Sequence, residues 1–213
     1  MFRYIVIEGP IGVGKTSLTR LLAKEFSGRS ILEKPEENPF LPSFYRDRRK
    51  YAFQTQVFFL LNRFQQQVEI AQLDLFNQTT FCDYLFAKDR IFASLTLDEN
   101  ELVLYEKIFD LLIGRIPQPD MVIFLQAKPE VLLQRIKARN IAYEREIDPD
   151  YLRKITEAYN YFFFHYEQSP LLVVNTSEID FVNRKEDFNQ LIREIKGMGQ
   201  GTSYFIPMRS RSK

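Results

Sequence analysis

"YIVIEGPIGVGKTSLTRLL", residues 4–22, decides the fold. Tyr4 to Ile7 is a short apolar run of the kind that forms a buried strand. Gly9, Gly12 and Gly14 follow, and glycine reaches backbone angles that let successive N–H groups converge on one anion. Val13 lies within that turn. Lys15 supplies a point charge for β- and γ-phosphates, and Thr16, with Ser17 beside it, offers a hydroxyl to Mg²⁺. Leu18, Leu21 and Leu22 recur at helical spacing, so the turn opens a helix whose positive end faces the phosphates. Gly-x4-Gly-Lys-Thr between a strand and a helix is a complete phosphate-loop pattern.

The rest of the chain fits one domain. It has 213 residues, with 29 Lys plus Arg against 28 Asp plus Glu, so no overall field points to a nucleic-acid polymer. The single cysteine, Cys82, excludes an intrachain disulfide and fits a reducing compartment. No apolar run is long enough for a signal peptide or a membrane span, so a cytoplasmic protein is expected.

Strands are expected near 3–8, 30–33, 79–83, 120–126 and 170–175, and helices near 15–26, 50–76, 98–113, 129–140, 149–167 and 185–196. Asp98 with Glu101 forms a capping-box pattern, and Asp148-Pro149 sets a cap before a first-turn proline. The alternation implies an α/β three-layer fold, a five-stranded parallel sheet covered by helices on both faces. One domain over 1–196 is expected, followed by a mobile glycine-rich and basic tail at 197–213. "VFFLLNRF" (57–64) is apolar on several helix faces, and the 98–113 helix has a wide apolar face. Both favour a homodimer. His165, inside "YFFFHYEQ", reads as a core or boundary residue.

No Asn-Lys-x-Asp or Leu-Ser-Gly-Gly-Gln segment is present, which argues against a GTPase switch or a transporter ATPase. Transfer of a phosphoryl group to a small molecule remains, and it needs an acceptor pocket and a lid. At this point "EGPIGVGKTSL", "LEKPEENPFLPSFYRDRRKYAFQTQVFFLLNRF", "DYLFAKDRIFA" and "PDMVIFLQAKPEVLLQRIKARNIAYE" resemble, in that order, the deoxynucleoside kinase family.

That resemblance implies transfer of the ATP γ-phosphate, with Mg²⁺, to the 5′-hydroxyl of a 2′-deoxynucleoside, with a lean to purines and deoxyadenosine favoured. It makes Glu33 the acceptor of the 5′-hydroxyl proton, a role that also suits a carboxylate at a strand end beside the ligand crevice. It places Tyr45 and Glu144 on the sugar 3′-hydroxyl, Gln56 and Arg63 at the base edge, and Phe92 stacked on the base. Arg135 and Arg139 match lid arginines in a lid near 135–148, and Asp180-Phe181 resembles the adenine-side segment. Two departures stand out. Ile141 replaces an arginine two residues after Arg139, with Arg145 as a substitute. Asp83 is followed by Tyr84 where the family has an acid, an arginine and a serine. Asp83 is then the expected metal-site acid, and Lys88, or else Arg90, the expected returned positive charge. The rival readings are a nucleoside monophosphate kinase of the thymidylate kinase type and a catalytically silent nucleotide-binding regulator.

Overall fold

The structure, a computed structural model, describes residues 2–72 and 78–207. The strands are β1 (Tyr4–Glu8), β2 (Arg29–Ile31), β3 (Thr80–Cys82), β4 (Met121–Gln126), β5 (Leu171–Asn175) and β6 (Thr202–Phe205). The helices are α1 (Lys15–Glu25), α2 (Leu41–Arg46), α3 (Arg48–Gln72), α4 (Asp89–Thr96), α5 (Glu99–Ile113), α6 (Pro129–Arg139), α7 (Pro149–Phe164) and α8 (Lys185–Gly197). All strand pairs are parallel, in the order β2-β3-β1-β4-β5-β6. After β3 the chain crosses β1 to reach β4. The crevice at the carboxyl end of β1 is therefore a switch point, where open α/β sheets bind ligands.

Period-2 alternation in the strands sorts the core. Ile5 and Ile7 pack with Leu18, Leu132, Leu191 and Ile195 on one face. Tyr4 and Val6 pack with Phe44, Ile91, Tyr159 and Phe163 on the other. A third cluster, with Leu60, Phe86, Tyr105 and Phe109, joins α3 to α4 and α5. The expected caps form. Asp98 accepts from Asn100 and Glu101 N–H while Glu101 Oε2 accepts from Asp98 N–H, and Asp148 accepts from Asp150 N–H ahead of Pro149.

Several expectations change. The sheet has six strands, not five, because part of the segment read as a mobile tail forms β6. Gly201, at φ 79°, turns the chain back, and Phe205 enters the core while Tyr204 stays exposed. Residues 208–213 of that tail, and 73–76 of the long helix, lie outside the described residues. The short helices α2 and α4 were not expected. They carry Tyr45 and Phe92. Glu33 lies two residues beyond the end of β2 and does not terminate it. His165 is exposed at the end of α7, its Nδ1 2.9 Å from Tyr161 O, and is not a core residue. Cys82 is fully buried, as a small core residue.

Candidate active site

The loop from Gly9 to Gly14 joins β1 to α1 with three glycines at positive φ. A Cβ on Gly12, at φ 83°, would stand 2.7 Å from Ile136 Cγ1 and 3.0 Å from Leu132 O, so α6 packs where a side chain would be. Lys15 Nζ donates to Gly9 O at 2.7 Å and to Pro10 O at 3.3 Å, which folds the lysine back over the loop. Burial lowers its pKa from the ordinary lysine value, and the neighbouring charge of Lys88 adds to the shift.

Asp83, one residue past β3, links the loop to the acceptor side. Its Oδ2 accepts from Thr16 Oγ1 at 2.6 Å and its Oδ1 from Glu33 N–H at 2.6 Å. Burial raises the Asp83 carboxyl pKa, and the Glu33 charge raises it further. Among the described residues no group of three His, Cys, Asp or Glu is arranged to hold a metal ion. Thr16 and Asp83 instead form an oxygen-donor pair beside a phosphate loop. That suits Mg²⁺, which takes few protein ligands and completes its shell with phosphates and water.

Glu33 sits in a buried ion network. Arg63 donates to its Oε1 from Nε at 2.8 Å and again from Nη2, and Lys88 Nζ lies 3.3 Å from its Oε2. Burial alone would raise the Glu33 carboxyl. The charges of Arg63, Lys88 and Lys15 outweigh it and hold the group well below the usual carboxylate range. Arg63 also pairs with the buried Asp89 and lies over the Phe59 ring at 4.7 Å.

Two pockets meet at this network. One encloses about 850 Å³ of empty space, counting the part open to solvent, within the ~300–1,000 Å³ range of small-molecule sites. Glu33, Tyr45, Gln56, Arg63, Lys88, Phe92 and Glu144 all line it. Gln56 is buried on α3, and Phe92 stands edge-on to Tyr159 at 6.0 Å. Tyr45 stacks on Tyr143 at 5.9 Å, and burial raises its phenol, so it remains a donor. The other pocket is lined by Gly12 to Ser17, Arg135, Arg139, Asp180 and Phe181. Gly12, Lys15, Thr16 and Arg139 belong to both. Gly9 lines neither and contributes its carbonyl to Lys15.

Arg139 grips both oxygens of Glu144, from Nη2 at 2.5 Å and from Nε at 3.0 Å. Arg135 donates to Thr176 O at 2.7 Å, Thr176 Oγ1 at 3.1 Å and Val13 O at 3.3 Å, and burial lowers its pKa. Asp180 caps its own turn, accepting from the N–H groups of Val182 and Asn183.

The substitutes for the family's missing arginines separate. Arg145 is exposed and donates to Asn140 Oδ1, and Arg90 pairs with Glu106 and Asp110, so neither lines either of these two pockets. Lys88 alone of the three turns inward. Tyr84, which directly follows Asp83, is fully buried behind Arg63. Sequence reasoning missed Asp89, Tyr143 and Glu8. A buried acid at the end of an apolar strand was the available signal for Glu8.

A family model described as deoxynucleoside kinase matches residues 5–198. Deoxyguanosine kinase of Bacillus subtilis (strain 168) is 34% identical over 198 residues, covering 91% of this chain and 96% of that one. Deoxyadenosine kinase of Dictyostelium discoideum is 36% identical over 199 residues, covering 92% and 80%. The solved structure of deoxyadenosine kinase from M. mycoides with bound dATP matches with a TM-score of 0.79 at 23% identity, covering 91% of this chain and 98% of that chain.

Proposed function

Because the chain belongs to the deoxynucleoside kinase family, we propose that it transfers the γ-phosphate of ATP to the 5′-hydroxyl of a purine 2′-deoxynucleoside, deoxyadenosine first. The observation that carries this reading is the junction of two pockets at Lys15, Thr16 and Arg139, with the Glu33 carboxylate lining the acceptor side. Phosphoryl transfer needs little covalent help from the protein. It needs alignment and charge stabilisation, which such a junction provides.

In this reading Gln56 and Arg63 meet the base edge, Phe92 stacks on the base, and Tyr45 and Glu144 hold the 3′-hydroxyl. Glu33 stays ionised near neutral pH and accepts the hydrogen bond of the 5′-hydroxyl. A carboxylate held so acidic is a weak base, which suits a loose transition state in which the proton leaves late. Arg135, Arg139 and Lys15 face the donor phosphates, and residues 135–148 act as the lid. Asp180 and Phe181 border the donor base. Thr16 and Asp83 would hold Mg²⁺, which supplies charge neutralisation on the phosphates.

A monophosphate acceptor fits less well, because its phosphate needs unpaired cations. On the acceptor side, Arg63 is already matched by Glu33 and Asp89. ADP release measured with each deoxynucleoside, its monophosphate and its 2′,3′-dideoxy analogue tests the reading. Turnover is expected with nucleosides, the purines leading. Turnover only with monophosphates, or binding without turnover, overturns it. The dideoxy analogue is expected to lose about 1–3 kcal/mol, since the Tyr45 hydroxyl loses its partner and Glu144 keeps only Arg139. Equal use of deoxy and dideoxy substrates would remove that contact.

Asp83→Asn is expected to raise the Mg²⁺ requirement and lower kcat, with the nucleoside KM little changed. An amide keeps one acceptor for Thr16 or Glu33 N–H but loses the charge. A wild-type Mg²⁺ titration in this variant would leave the metal to Thr16, water and ATP.

No helix among the described residues is long and apolar enough to cross a membrane. A cytoplasmic homodimer fits the exposed Leu61 of α3 and Val103, Leu104 and Leu111 of the adjacent α5. Sedimentation is expected to give twice the 25.3 kDa chain mass, and a species of one chain mass at micromolar concentration sinks the dimer.

A further inference from the structure

Glu8 is the last residue of β1 and is fully buried, an expensive place for a carboxylate. Its contacts reach the phosphate loop, α7 and the turn that carries Lys88. Oε1 accepts from Gly9 N–H at 2.8 Å, the first residue of the phosphate loop, and from Tyr159 Oη on α7 at 3.2 Å. Oε2 accepts from Leu85 N–H at 2.7 Å and lies 3.8 Å from Lys88 Nζ. Leu85 in turn accepts from Lys88 N–H at 3.0 Å, in the tight turn that carries Lys88. One oxygen therefore holds the Leu85 N–H at the start of the turn that carries Lys88 and also lies beside the ammonium at the end of its side chain.

The ammonium has a second neighbour, Glu33 Oε2 at 3.3 Å, and its side chain is almost wholly buried while still lining the nucleoside pocket. Lysine is a flexible four-carbon stem with rotatable donors, so a catalytic lysine needs something to aim it. Glu33 cannot be the sole anchor, because the reading above also asks it to receive the 5′-hydroxyl. Glu8 touches neither pocket, so it keeps its hold on Lys88 whatever Glu33 is doing.

We propose that Glu8 is a positioning residue: it fixes Lys88 in register with the phosphate loop, so that the ammonium stands beside the oxygen atoms of the transferred phosphoryl group. This rests on the kinase reading and on Lys88 acting in it. Through Gly9 and Leu85 the same carboxylate ties the donor-side loop to the acceptor-side turn.

The test is a double-substitution cycle with Glu8→Gln and Lys88→Met, after wild-type ADP release has established turnover of a deoxynucleoside. Glu8→Gln keeps the shape, withdraws the charge from Lys88 and sets an amide N–H against one of the backbone donors. In the wild-type background it is expected to lower kcat about 10²-fold, the scale of a misplacement near 1 Å, with the nucleoside KM nearly unchanged. In the Lys88→Met background it is expected to cost no more than about threefold further. A purely structural Glu8 would lower kcat equally in both backgrounds, and that result overturns the proposal. A loss confined to KM overturns it too. Thermal melts show whether Glu8→Gln folds. If it does not, Glu8→Asp, which keeps the charge but retracts it by one methylene, is carried through the same cycle, and the same two results overturn the proposal. If wild type turns over no nucleoside, the kinase reading has failed rather than the role of Glu8.

Discussion

Lys15→Ala is expected to abolish turnover, by on the order of 10³-fold or more, while the deoxynucleoside still binds with little change in affinity. The lysine lines both pockets, but its ammonium folds onto the carbonyls of Gly9 and Pro10, over the phosphate loop. In the proposed reading it would there meet donor phosphates, whose charge grows on the bridging oxygen during transfer. The acceptor pocket keeps Gln56, Arg63, Tyr45 and Glu144, so nucleoside affinity measured by calorimetry should survive. Full activity in this variant would remove the phosphate loop from the mechanism, and equal loss of nucleoside binding would make Lys15 an acceptor-side residue.

Glu33→Gln is expected to lower kcat by about 10²–10⁴-fold, far more than it raises the nucleoside KM. The amide keeps the shape but cannot take the proton of the 5′-hydroxyl, a loss felt mostly in the transition state. The network should tolerate the change, because Arg63 retains Asp89 and Lys88 retains Glu8. The sign of the pH effect follows from the depressed carboxyl. Its stabilising ion pairs are fully present above the ordinary glutamate value of about 4.3 and are lost only as pH falls through the lower folded value. Near neutral pH the comparison is therefore between a glutamine and a fully ionised glutamate. A change in KM alone would make Glu33 a binding residue.

These two residues were singled out before any fold was known, for different reasons. The phosphate loop is a local device: glycine spacing, a lysine and a helix start lie within one turn of chain, so short-range sterics and hydrogen bonding write it. The Asp98–Glu101 capping box and the Asp148-Pro149 cap are local in the same sense, and both formed. Strand and helix alternation gave the layered parallel sheet by hydrophobic period alone. Glu33, Tyr45, Gln56, Arg63, Phe92 and Glu144 were named through family resemblance, and the fold brings all six to one pocket.

What the sequence by itself determined, then, is the phosphate loop, the helix caps and the alternation of strands with helices. Tertiary structure decided the rest, because it depends on partners far apart in the chain. Arg63 meets Glu33 across 30 residues, and Lys88 meets Glu33 across 55. No spacing rule tells Lys88, which turns inward, from Arg90, which turns to the surface two residues later. Only the burial of one and the solvent-side acids of the other do so. The sixth strand was hidden because glycines mark a mobile tail and a sharp turn alike. The free edge of β5 and the pocket that takes Phe205 make it a turn. Glu8 read as the end of an apolar strand, and its role rests on four groups from three other parts of the chain converging on one carboxylate.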